Sequence, residues 1–382
     1  MLAMASDGLG LPQVAQAFPD SSVWQFLAYQ LEHVEWVGCA AWDLIQPSFM
    51  FMVGVSMPYS CSSREAKGQS YGQMLAHVLY RSFLLTALGI FLRSNHASQT
   101  YFTFEDVLTQ IGLGYTFLFF LWGRKPSVQF LSALLVLAGT WLAFVLYPLP
   151  PQGFDYHSVG VPSDWPHLTG IAAHFDKNTN VAAAFDQWFL NLFPRKEPFV
   201  YNGGGYLTLS FVPSLATMIF GLMAGGLLRS ARPPGEKFRI LIAAGALGLA
   251  VGQGLDWLGI CPVVKRIWTP AWAIFSTGWT CLLLGSFFGI MDRGGFRRWS
   301  FPLLVVGMNS IAMYCLAHLI GGWVGRSLKV HLDWVASKLG LGDQVFQIFG
   351  KTYEPLVEKA SVLFLLWLIC LWMYRRKIFL RI

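Results

Sequence analysis

Three ionisable side chains surround a tryptophan in one short stretch of this 382-residue chain: His33, Glu35 and Asp43, with Trp36 among them. An imidazole titrates close to neutral pH, so a histidine in such company can act as a general base or accept an acyl group. Asp43, ten residues further on, could orient that imidazole, hold an amine, or pair with a basic group in a helix bundle. No zinc motif, no Gly-x-Ser-x-Gly elbow and no phosphate loop competes with this stretch, and no metal is expected.

The residues that must position this group are apolar. Ala40 to Tyr59 is long enough to cross a bilayer, whose hydrocarbon core of about 30 Å asks for roughly 20 apolar residues. Asp43 lies near the start of that run and Pro47 one turn later. A carboxylate inside a membrane segment costs about 2.5–3.5 kcal/mol on insertion scales, so it should face protein or water. Pro47 cannot bond back to the Asp43 carbonyl, which predicts a kink there, and Gly54 permits a close helix contact.

Composition carries the same message along the whole chain. Apolar residues make up 55% and charged ones only 12%, against about 25% charged in a soluble domain, and mean hydropathy is +0.50. The expected fold class is all-α: a polytopic transmembrane helix bundle with about nine complete spans plus a truncated first helix. The spans are expected at 40–59, 73–92, 107–122, 127–147, 207–228, 238–258, 268–290, 301–324 and 356–374. Met1 to Leu11 reads as the tail of a helix, with no basic n-region and too short an apolar run for a cleavable signal. Residues 1–382 are read as a single transmembrane domain, in which 148–206 caps the outer mouth. The six scattered cysteines show neither metal nor redox spacing.

Charge gives the orientation. The net charge of +7 sits in short runs between apolar segments, a pattern that fits the positive-inside rule better than a nucleic-acid-binding face. If the nine spans alternate, Arg64, Lys67, Arg124, Lys125, Arg229, Arg232, Lys237 and Arg239 fall on one side. Arg293, Arg297, Arg298, Arg375, Arg376, Lys377 and Arg381 join them, and that side is cytoplasmic by the positive-inside rule. His33 then lies outside. Within the spans the polar groups are Gln110, Gln253, Asp256, Asn309, Ser310, Tyr314 and His318, the last three on one helix face. Gly203-Gly204-Gly205 should form a tight or flexible lead-in to the next helix, and His77 with Arg81 could meet an anionic ligand or lipid phosphate.

Several of these residues together resemble a family. His33-x-x-Trp36-x-Gly38, Asp43-Leu44-Ile45-x-Pro47 and Phe51-x-Val53-Gly54-x-Ser56 look like the catalytic region of heparan-alpha-glucosaminide N-acetyltransferase and its bacterial homologues. Arg81-Ser82-Phe83-Leu84-Leu85, Val107-Leu108-x-Gln110-x-Gly112, Gly307-Met308-Asn309-Ser310-Ile311 and Tyr374-Arg375-x-Lys377-Ile378-Phe379 extend the likeness. The resemblance implies an integral membrane acyltransferase that moves an acetyl group from acetyl-CoA to the amine of a glucosamine-type sugar at the extracytoplasmic face. It implies His33 and Asp43 as the catalytic pair. Trp36, Gln110, Asn309 and His318 become substrate-binding candidates, with Ser6 or Asp7 where the family has an asparagine. The family's Asp-x-x-Arg-Gly motif is absent. Expected partners are the lipid bilayer and a small-molecule or glycan amino sugar, no nucleic acid, with a homodimer left open; the expected location is a bacterial cytoplasmic (inner) membrane. An amino-sugar permease is the alternative, since polar groups at one mouth of a bundle suit either activity.

Overall fold

The computed structural model describes residues 7–95, 97–340, 342 and 344–380. Thirteen α-helices and several short 3-10 turns account for these residues, and an isolated antiparallel bridge, Val37 to Val264, is the only extended pairing among them. Two compact units interleave along the chain. The first takes the residues up to Val34, Ala40–Asp43 and the chain from Phe296 onward, and the second takes Glu35–Cys39 and Leu44–Gly295.

The second unit holds most of the long apolar helices. These are α3 (Ile45–Glu65), α4 (Tyr71–Arg93), α5 (Val107–Leu121), α6 (Pro126–Val145), α8 (Phe211–Arg229), α9 (Pro234–Trp257) and α10 (Pro270–Phe287), with α7 (Val181–Phe189) in the 148–206 segment. Four of these helices start at side chains that accept orphan N–H groups. Ser70 and Gln73 make a reciprocal capping box for α4, and Asp106 Oδ1 accepts from Leu108 and Thr109 at the head of α5. Asn180 and Thr269 do the same for α7 and α10.

Glycine sets how closely α3 and α8 approach. A Cβ on Gly54 would lie 1.9 Å from the Met218 carbonyl oxygen, and one on Gly221 would lie 2.0 Å from that of Phe51. Backbones this close leave no space for a side chain, which is how helices gain packing where no hydrophobic force drives them together. The close contact expected at Gly54 is therefore present. The kink expected at Pro47 is not. Ala41–Leu44 form a 3-10 turn and α3 begins at Ile45, so Pro47 sits in the first helical turn, where its missing N–H has no intrahelical partner to lose.

The first unit contains α1 (Leu11–Ala15), α2 (Ser22–Gln30), α11 (Phe301–Gly307), α12 (Ser310–Lys338) and α13 (Glu354–Arg375). Its core joins Val305, Val306, Met313, Val324, Val362, Leu366 and Cys370. Residues 7–10 turn through left-handed Gly8 and Leu9 instead of continuing a helix, and the rest of the expected helix tail lies outside the described residues. The single span expected at 301–324 is a pair of helices bent by 66°. Asn309 holds that break, with its amide donating to the Ile378 carbonyl at 3.1 Å and its Oδ1 accepting from Leu380 N at 3.1 Å.

All nine stretches expected to span are helical over most of their length. Six helices among the described residues are long and apolar enough to cross a membrane: 71–93, 126–145, 208–229, 234–257, 270–293 and 351–375, or seven with the bent pair counted as one. Helix α5 is shorter, with 15 residues.

Candidate functional site

His33 follows α2 and Asp43 sits in the 3-10 turn before α3, both in the first unit. Asp43 is the better buried of the two, with its side chain 1% exposed against 35% for His33. Its Oδ1 lies 2.6 Å from His33 Nδ1. Its Oδ2 accepts from Ala40 N at 3.1 Å and Val34 N at 3.3 Å. An ionised carboxylate can only accept, so Nδ1 of His33 is the donor in this pair. Local sequence builds this arrangement. The 3-10 turn brings the Asp43 amide to the Ala40 carbonyl at 3.0 Å, and Gln30 at the end of α2 accepts from Ala41 N at 2.9 Å. Trp42 meets the imidazole edge-on, with ring centroids 6.2 Å apart.

Trp36 falls between His33 and Asp43 in sequence but belongs to the second unit. Its indole is 5% exposed, donates to the Phe175 carbonyl at 3.2 Å and packs edge-on against Trp165 at 5.7 Å. Gly205 makes room for it. With φ at +73° and a would-be Cβ only 2.7 Å from the indole, that position admits no side chain. Asn202 shapes the glycine triplet into a turn, its Oδ1 accepting from Gly204 N at 2.8 Å and Tyr206 N at 3.2 Å. The tight lead-in expected of the triplet is present, and it serves as the seat of Trp36.

Around this seat lie residues that the sequence reading passed over. Lys177 is 8% exposed and stands over the Trp165 ring at 4.7 Å, and burial lowers its pKa, aided by the Arg266 charge. Beside it His167 Nδ1 pairs with Asp176 Oδ2 at 2.9 Å. Burial raises the Asp176 pKa although His167 opposes the shift. The spacing of His167 and Asp176, nine residues, is close to the ten of His33 and Asp43, which was the available signal.

The remaining candidates are engaged in holding the fold. Gln110 is 1% exposed, and its amide donates to the carbonyls of Phe104 at 2.7 Å and Thr208 at 3.1 Å. Asn309 is fully buried at the bend between α11 and α12, pinning the C-terminal tail. His318 is exposed, its Nδ1 2.9 Å from the Tyr314 carbonyl and its ring 4.2 Å from that tyrosine's ring. Asp256 accepts from Gln253 Nε2 and Val263 N, closing the end of α9. Ser6 lies outside the described residues, as does the side chain of Asp7. Among the described residues no group of three His, Cys, Asp or Glu side chains could hold a metal, and no cysteine is in a disulfide.

The arrangement at His33 can take a proton from a nucleophile and keep the resulting imidazolium beside a carboxylate. No family model matches the chain. Two curated proteins named heparan-alpha-glucosaminide N-acetyltransferase are similar to it. The mouse (Mus musculus) protein is 23% identical over 322 residues, which cover 75% of this chain and 49% of that protein. The human (Homo sapiens) protein is 24% identical over 322 residues, covering 75% of this chain and 48% of that protein. The chain therefore spans about half the length of these relatives. Across three quarters of its length the chain is thus similar to heparan-alpha-glucosaminide N-acetyltransferases.

Proposed function

We propose that this chain is an integral membrane acetyltransferase that moves the acetyl group of acetyl-CoA to the amine of a glucosamine-type sugar on the extracytoplasmic side of a bacterial inner membrane. The observation that carries the reading is the His33–Asp43 pair: a partly exposed imidazole held at 2.6 Å by a carboxylate that is itself buried and hydrogen-bonded to two backbone amides. In the reaction the sugar amine attacks the thioester carbonyl, so a C–N bond forms and the C–S bond breaks. Nε2 of His33 accepts the proton that the amine loses, and that proton leaves with the departing thiolate. Asp43 keeps the ring in the tautomer that can accept, and balances the imidazolium charge.

A permease is the second reading, favoured by one observation. The 66° break between α11 and α12 at a buried polar residue is the kind of interrupted span that transporters build sites from. Liposomes containing the chain, supplied with labelled acetyl-CoA and glucosamine, separate the two. Acetylated glucosamine supports transfer, whereas uptake of unmodified glucosamine with no acetylated product supports the permease and removes the enzyme reading.

A further inference from the structure

At the far end of α3 from Asp43, a second cluster forms from charges of one sign. Helix α3 has 21 residues, which at 1.5 Å each places Arg64 about 30 Å along the axis from Ile45. Arg64 Nη2 donates to His77 Nε2 at 2.6 Å, and Arg64 Nη1 reaches Gln69 Oε1 at 3.3 Å. One turn along α4 from His77, Arg81 Nη1 donates to the Tyr115 hydroxyl at 2.9 Å, with its guanidinium 4.8 Å from that ring's centroid. Three helices of one unit thus bring two guanidiniums and an imidazole together.

The cluster lacks what such groups normally have. Among the described residues no carboxylate lies within ion-pair distance of Arg64 or Arg81, although Lys, Arg or His side chains elsewhere do pair with acids, as at His33, Arg93, His167, Arg232 and Lys329. Arg81 Nε is enclosed by protein and has no hydrogen-bond partner. Buried donors in folded proteins are nearly always satisfied, and two guanidiniums with no carboxylate beside them, one of them with an orphan donor, ask for an anionic acceptor. Guanidinium forks match the oxygens of a phosphate and bind them with charge-assisted hydrogen bonds. On the charge pattern of the loops this end of α3 is cytoplasmic, where phosphates come from soluble metabolites and from lipid headgroups.

We propose that Arg64, His77 and Arg81 form a binding site for the phosphate of an organic phosphate ligand. Two sources share that chemistry: the phosphates of coenzyme A, if the transferase reading on which this source rests is right, and the headgroup of an anionic phospholipid. Arg64 and Arg81 clamp the phosphate oxygens and His77 stands between them, while Tyr115 orients the Arg81 fork from the opposite edge.

The test uses the chain in phosphatidylcholine nanodiscs, with Arg81→Gln and Arg64→Gln as variants whose folding is checked by thermal melting. Coenzyme A binding is measured against pantetheine, which has the thiol arm without phosphate. Phosphatidylglycerol retention is measured by native mass spectrometry. The expected result is a loss of about tenfold or more in affinity for one of the two phosphate ligands in both variants, with pantetheine unchanged. Loss confined to coenzyme A identifies the soluble source, and loss confined to phosphatidylglycerol identifies the lipid. Folded variants that bind both as the unaltered chain does, or an unaltered chain that binds neither, would overturn the site. Binding is read without turnover, so a chain that holds the phosphate but makes no acetylated sugar removes the transferase reading and leaves this site standing.

Discussion

The molecule contains two histidine–aspartate pairs built to nearly the same plan, and their differences are more instructive than their likeness. In both, Nδ1 of a one-third-exposed imidazole meets a buried carboxylate, at 2.6 Å for His33–Asp43 and 2.9 Å for His167–Asp176. The carboxylates are held differently. Asp43 Oδ2 accepts from two backbone amides at 3.1 and 3.3 Å, whereas Asp176 Oδ1 has Leu168 N at 3.5 Å, beyond a good hydrogen bond. The rings differ as well. The ring centroid of Tyr156 lies 4.2 Å from that of His167 in a tilted stack, and that of Trp42 lies 6.2 Å from His33, edge-on. Asp176, short of donors, has its pKa raised by burial. A histidine–aspartate pair is thus no sign of catalysis by itself. The backbone support given to the Asp43 carboxylate is the difference on which the proposal for His33 rests.

That distinction can be broken by mutation. The largest effect is expected at the histidines. His33→Ala should lower acetyl transfer by about 10²–10⁴-fold, the usual contribution of a general base, and His167→Ala should leave the rate within a few-fold. Initial rates with labelled acetyl-CoA in liposomes check both. Next come the carboxylates. Asp43→Asn keeps an acceptor for the backbone amides but misorients the ring, and a misplacement of about 1 Å can cost about 10²-fold in kcat with KM little changed. Asp176→Asn should change neither. Equal losses in the two asparagine variants would erase the contrast.

A smaller effect separates positioning from chemistry. Gly205→Ala forces a Cβ into the Trp36 indole at a left-handed backbone position, and should destabilise the second unit by about 1–3 kcal/mol. A thermal melt reads that loss, and the rate per folded molecule should fall less than with Asp43→Asn. The most local effect is on pH. Asp186 is 2% exposed and burial pushes its pKa up from 3.8 to about 7, with Thr208 N as the donor that opposes the shift. A carboxyl that titrates higher in the folded chain stabilises the fold at pH values below its unfolded pKa, and loses that stability as pH rises through its folded pKa. Hydrogen exchange across α7 and Thr208 should therefore quicken between about pH 4 and 7, by up to about 4 kcal/mol of local stability. Asp186→Asn should flatten that dependence.

The helices were legible because each rests on a run of apolar residues closed by a cap, as at Ser70, Asp106 and Thr269. Helix bounds were less so. Pro47 read as a kink because nothing in the sequence marks Ile45 as the first helical residue, and the bend at Asn309 depends on the tail residues Ile378 and Leu380, which lie 69 and 71 positions away. At the site, His33 and Asp43 were found by residue type and spacing, since they close a local loop. Trp165 and Lys177 were passed over, and Gly205 was named only as part of a turn, because the packing around Trp36 comes from more than 120 residues further along the chain. Gln110, named as a substrate contact from the resemblance, has its amide nitrogen on the carbonyls of Phe104 and Thr208, partners that no local pattern marks.

The claim that His33 is the base is tested most directly by chemical rescue. The His33→Ala chain, with Asp43 intact and its fold confirmed by melting, would be assayed for acetylated glucosamine with and without imidazole in the medium. The account predicts that transfer is lost without imidazole and partly restored with it, while the His167→Ala chain is active and indifferent to imidazole. A folded His33→Ala chain that transfers acetyl groups at the unaltered rate would contradict it.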